Sequence, residues 1–150
     1  MVRNNVDIQK FLPHRYPMLM VDTVLHIDSK SVTCEFKVGP DCLFLKNGHL
    51  TETGLIENAA QACSAVVGQN YFEADDLEGK GNKVIGYISA IKKVVIKKLP
   101  KLNDTLVTKA QLISLFNTGN VSMCTMEGTT FSNGDLIVDC TINFLIHEVL

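Results

Sequence analysis

This 150-residue chain has no CxxC pair, no apolar signal segment in its opening MVRNNVDIQK, no internal repeat and no low-complexity tract. Each absence narrows the field. Five cysteines, Cys34, Cys42, Cys63, Cys124 and Cys140, are an odd number without paired spacing, which speaks against a disulfide framework and predicts reduced thiols in a cytoplasm. A net charge of −2 and a pI near 6.0 give no general pull toward nucleic acid or anionic membrane, so any basic patch is local. No histidines and carboxylates stand at metal-ligand spacing, and no metal is expected. The longest apolar run falls short of a membrane span and contains Glu57, Asn58 and Gln61, which are costly in lipid; membrane insertion is not expected.

What is present is the making of one ordinary core. With 46% hydrophobic and 20% charged residues, a chain of this length is one soluble domain over residues 1–150, burying roughly 70% of its unfolded surface. Its centre is GLIENAAQACSAVVGQNYF, Gly54 to Phe72, a helix apolar nearly all round with one carboxylate, Glu57. Thr51 or Thr53 caps its start. Ala59, Ala60, Ala62 and Ala65 give it little bulk, and Cys63 among them reads as a small core residue. Such a helix must be enclosed.

The enclosure is read from the flanks. Val6 to Leu12 is a short amphipathic turn, LPHRYP an irregular segment held by two prolines, and Met18 to Ile27 and Ser31 to Val38 are strands. EADDLEGKGNK, after Phe72, is a surface connection. Four long strands follow, at 83–99, 104–116, 122–131 and 136–147, with turns at NTGN (117–120) and SNGD (132–135). The order predicts an α+β architecture, a long central helix wrapped by a curved antiparallel meander. Such a sheet keeps an open edge, so dimerisation is expected.

Three stretches carry a family resemblance over roughly the whole chain from Ile8 onward. LPHRYPMLMVD at 12–22, GHL at 48–50 and GLIENAAQA at 54–62 resemble the signatures of the hot-dog-fold 3-hydroxyacyl-(acyl-carrier-protein) dehydratases of bacterial fatty acid synthesis. The middle signature departs. In place of the family's G-H-F-P-x-x-P-x-x-P-G loop stands G-H-L-T-E-T-G, which leaves His49 and Glu57 eight positions apart. In this the chain resembles a shortened branch associated with aryl-polyene-type lipid and pigment pathways.

The resemblance implies dehydration of (3R)-3-hydroxyacyl thioesters, carried on acyl carrier protein, to trans-2-enoyl thioesters. No cofactor is implied beyond the carrier's phosphopantetheine arm. It further implies that His49 of one subunit meets Glu57 of another, within a homodimer or higher even oligomer. The residue chemistry suits those roles. A neutral imidazole, with an ordinary pKa near ~6.5, can take the α-proton. Glu57, if burial raises its pKa, can donate to the leaving hydroxyl, although the helix N-terminus pulls toward the anion. Backbone N–H groups at Gly54, Leu55 and Ile56 are candidates to hold the thioester oxygen. Ala60 is expected to line an acyl tunnel and Gln61 to fix Glu57 or a dimer contact. His14 and Arg15 are expected beside the entrance in a structural role, and His26 and His147 at the surface or core edge.

Lys92, Lys93, Lys97, Lys98 and Lys101 form the one dense basic group. It reads either as a solvated strand face or, with Arg15, as a docking patch for an acidic carrier protein. Two other functions fit the same residues. An acyl thioesterase would use Glu57 without His49, and a non-catalytic subunit would bind acyl carriers beside an active partner.

Overall fold

A computed structural model describes residues 2–69 and 83–149. Its strands are β1 (Arg3–Asp7), β2 (Thr23–Ile27), β3 (Ser31–Lys37), β4 (Leu45–Lys46), β5 (His49–Leu50), β6 (Lys83–Ile96), β7 (Thr105–Thr118), β8 (Val121–Ser132) and β9 (Asp135–Val149). A 3-10 turn spans Ile8–Lys10, and the single α-helix among the described residues, α1, spans Glu52–Gly68. Thr51 is its N-cap, accepting from the Gly54 N–H through its hydroxyl. The expected helix end near Phe72 and most of the charged connection, residues 70–82, lie outside the described residues.

Seven strands form one antiparallel sheet in the order β1-β2-β3-β7-β8-β9-β6. The expected meander holds for β7, β8 and β9, whose hairpins turn at Gly119 (φ 58°) and at Asn133–Gly134 (φ 51° and 83°). These are the positive φ angles that two-residue hairpins require. β6 departs from the meander: it pairs with β9 at the far edge rather than with β7.

Two early readings are corrected. Residues 3–7 form an edge strand on β2 that sequence periodicity did not single out. The strand expected from Met18 begins only at Thr23, because α1 has claimed the preceding backbone. Gln61 Oε1 accepts from the Met20 N–H at 2.7 Å, Gln61 Nε2 donates to Met18 O at 2.8 Å, and Asn58 Nδ2 donates to Met20 O at 2.6 Å. Those groups are then lost to any neighbouring strand.

The alanine-rich composition of α1 has a packing reason. Leu55, Ala59, Ala62, Cys63 and Val66 are fully buried. At Gly128 on β8, an added Cβ would lie 3.1 Å from Cys140 Sγ, 3.6 Å from Cys63 Sγ and 4.0 Å from Ala59 Cβ. Small side chains on both sides let the sheet curl close around the helix. One polar thread crosses this core: the Thr108 hydroxyl donates to Asn58 Oδ1 at 2.6 Å and lies 2.9 Å from the Thr130 hydroxyl.

Candidate active site

Glu57, Ala60, Gln61, Ser64 and Val67 recur at helical spacing and form one stripe along α1. That stripe is a wall of a cavity of about 250 Å³. The second wall is Phe11 to His14, and the floor comes from Gly86 to Ile88 on β6 with Phe144 and Ile146 on β9. From Glu57 to Gly68 the helix rises about 16 Å, so the cavity is a long, mainly apolar groove with its carboxylate and imidazole at one end.

Glu57 is not sealed in as the sequence suggested. Its side chain is 26% exposed, because the groove opens beside it. Oε1 accepts from Gln61 Nε2 at 2.7 Å, one helical turn on, and lies 3.9 Å from His14 Nε2. The two outer sequence signatures therefore interlock. Asn58 and Gln61 grip the backbone of Met18 and Met20, and the same segment carries His14 to the carboxylate. Arg15 clamps its base, with Nη1 donating to Leu12 O at 2.8 Å and His14 O at 2.9 Å.

His49 stands elsewhere. The signature GHL forms part of a tight hairpin in which Asn47 and Gly48 take φ of 51° and 74° and join β4 to β5. This is the two-residue type I′ turn. It places His49 opposite Lys46 on one side and in a bridge to Lys101 on the other. His49 Nδ1 lies 3.1 Å from Asn47 O, and the residue does not line the groove.

The backbone donors at the helix start need correction too. Gly54 N–H is taken by the Thr51 hydroxyl at 3.3 Å and Leu55 N–H by Thr51 O at 3.0 Å; Ile56 lies past the helix's unpaired first turn. Gly54 and Leu55 are buried away from the groove, and Ile56 is absent from its lining. Gly54 is small for a different reason: a Cβ there would meet Leu50 and Phe44 at 2.7 Å. Of the residues expected to hold substrate, Ala60 and Gln61 line the groove.

Arg15, Lys92, Lys93, Lys97, Lys98 and Lys101 are all exposed. Lys93 Nζ is tied to Asp139 at 2.6 Å. His26 sits beside Asn4 and Asp28, and His147 stacks on Tyr87 with its Nε2 2.9 Å from the tyrosine hydroxyl. The four buried thiols are poor nucleophiles: burial pushes Cys34 up to about 12, Cys124 and Cys140 up to about 11, and Cys63 well above its ordinary value. The residues that sequence reasoning undervalued are His14, assigned a structural role despite its motif, and Asn58, whose apolar surroundings hid its two partners.

One helix gripped by a curled antiparallel sheet, with a carboxylate at the mouth of an apolar groove, defines the hot-dog class. The structure resembles the ApeI:P dehydratase heterocomplex from Xenorhabdus doucetiae, with a TM-score of 0.75 at 21% identity, covering 97% of this chain and 92% of that one. It also resembles a hypothetical thioesterase from Streptococcus pneumoniae solved with coenzyme A, with a TM-score of 0.60 at 15% identity, covering 81% and 82%. At these identities the likeness is one of fold. In sequence, the chain is 31% identical over 144 residues to the 3-hydroxyacyl-(acyl-carrier-protein) dehydratase FabZ of Streptococcus agalactiae serotype V, covering 93% of this chain and 95% of that protein. The model of the ApeP-like family, described as ApeP dehydratase, matches residues 6–147. The chain belongs to that family, as the shortened middle signature suggested. No helix among the described residues is long and apolar enough to cross a membrane.

Proposed function

We propose that the chain dehydrates 3-hydroxyacyl thioesters to 2-enoyl thioesters, with the acyl tail in the α1 groove and the reacting carbons beside Glu57. The observation that carries this is the juxtaposition of Glu57 and His14 at one end of a long apolar groove. Elimination of water needs a proton taken from C2 and a proton given to the C3 hydroxyl, and an acid beside an imidazole supplies both. The hydroxyacyl group rides on the phosphopantetheine arm of an acyl carrier protein in the cytoplasm, and the protein needs no other cofactor. The exposed lysines at 92–101, which His49 joins through Lys101, are the surface offered to an acidic carrier.

The working unit is an oligomer. β6 is a 14-residue edge strand whose Ile85, Tyr87, Ile88, Ile91 and Val95 are all more than a third exposed. An apolar edge of that length invites a second chain to pair along it. Because Gly86 to Ile88 also floor the groove, that second chain would close the open side of the site.

The test offers the protein a 3-hydroxyacyl pantetheine thioester and a saturated acyl pantetheine thioester. Enoyl absorbance from the first, reduced by 10²–10⁴-fold in Glu57→Gln, is the expected result. Free thiol from the saturated substrate instead would make the chain a thioesterase. Saturable binding of the first substrate with neither product would make it a non-catalytic subunit.

A further inference from the structure

We infer that His14, and not the histidine of the GHL signature, is the base that acts with Glu57, so that both proton-transfer groups come from one chain. This rests on the dehydratase reading and names its second catalytic residue. His14 lines the groove, and its Nε2 is 3.9 Å from Glu57 Oε1. Its Nδ1 is buried and has no hydrogen-bond partner among the described residues, which leaves Nε2 as the ring nitrogen facing the groove and the carboxylate. The ring's position is enforced from behind. Arg15 donates to His14 O and Leu12 O, the Met18 and Leu19 N–H groups close back on Arg15 O, and Gln61 anchors Met18 and Met20 to the helix.

His49 lacks each of these features. Its hairpin is two residues long, its Nδ1 faces its own turn, and its strand neighbours are Lys46 and Lys101. The two-residue hairpin fixes His49 against Lys46 and Lys101 and turns it away from the groove of its own chain. Within one chain, the histidine of the short loop lies beside the lysines, and the histidine of the first signature stands at the acid.

The step balances within the pair. His14 Nε2 takes the proton from C2, the C2–H electrons form the C2=C3 bond, and the C3–O bond breaks as Glu57 protonates the departing hydroxyl to water. The products are the enoyl thioester, imidazolium at His14 and carboxylate at Glu57. Their separation exceeds a hydrogen bond by about 1 Å, so a small rotation lets Nε2 return its proton to Oε1 and restores the starting state.

The experiment compares the wild-type chain with Glu57→Gln, His14→Ala, His14→Gln and His49→Ala. It uses a 3-hydroxyacyl pantetheine thioester and reads enoyl formation and, in D2O, deuterium incorporation at C2. His14→Ala and His14→Gln are expected to lose at least about 100-fold in turnover and to lose C2 exchange, with His49→Ala losing far less. Added imidazole is expected to restore part of the exchange in His14→Ala, which a purely structural role for His14 would not produce. His14→Gln guards against a folding defect, since it keeps a polar side chain of similar reach. Wild-type turnover lost in Glu57→Gln but kept within threefold in His14→Gln overturns the role of His14 alone, as does a loss in His49→Ala equal to that in His14→Gln. A wild-type chain with neither turnover nor C2 exchange overturns this inference and the dehydratase reading together.

Discussion

The two long faces of α1 are built from nearly the same alphabet and do opposite things. Toward the sheet, Ala59, Ala62 and Cys63 are small enough for β8 to pack directly on the helix, and a Cβ at Gly128 would meet Cys63 Sγ at 3.6 Å and Ala59 Cβ at 4.0 Å with Cys140 Sγ at 3.1 Å beside them. Toward the groove, Ala60, Ser64 and Gly68 keep open the space that the sheet-facing residues eliminate. Smallness alone does not define a site. What separates the faces is the partner: a strand that closes in on one, and on the other a segment, Phe11 to Met20, held at a distance by the long side chains of Asn58 and Gln61.

Cutting Asn58, which ties α1 both to the Met20 backbone and to β7, should cost most in stability. Asn58→Ala removes bonds to Met20 O and the Thr108 hydroxyl and leaves buried polar groups unpaired, so urea unfolding should show a loss of about 2–4 kcal/mol. Alkali should act next. Cys34 and Cys63 keep their protons in the folded state to pH values well above those at which the unfolded thiols ionise. Above about pH 9 the unfolded chain therefore binds fewer protons than the native one, and stability falls as pH rises, by up to about 1.4 kcal/mol per pH unit for each thiol. Cys63→Ala should flatten that slope by its share. Gly128→Ala should cost about 1–3 kcal/mol by displacing the Cys140 side chain, 3.1 Å from the added Cβ.

The groove side should respond differently. Ala60→Leu fills space rather than displacing a strand, so its thermal stability should shift little while turnover of long-chain thioesters falls relative to short ones. A loss of stability as large as that of Gly128→Ala would show that the two faces are not distinct. Smallest of all, Lys93→Ala removes an exposed ion pair with Asp139 and should change stability by less than about 0.5 kcal/mol in a thermal melt.

The same division explains what was legible in the sequence. The helix, the four late strands and the place of Glu57 as the acid within that helix's apolar run follow from patterns written locally, in apolar runs, turn dipeptides and a lone acid. The position of β6 beyond β9 does not, because strand order is a choice between distant pairings that alternation leaves equal. Nor does the late start of the strand expected from Met18, whose first backbone groups were taken by a side chain 41 and 43 residues away. His14 and His49 were ranked by motif, and their places were decided by chain length. The Asn47–Gly48 turn was readable from its dipeptide, yet its meaning for His49 required knowing what β5 lies against.

Gln61 offers a last consequence. Its oxygen is held by the Met20 N–H and its two amide protons are divided between Met18 O and Glu57 Oε1, so the group cannot flip without losing all three bonds. Such an amide is a built-in gauge. In a 15N-labelled sample its paired side-chain signals should be sharp, well separated and slow to exchange, and the proton on Glu57 should set the shift of one of them. Following that signal while an acyl thioester is added would report on the Glu57 carboxyl without placing any label in the groove.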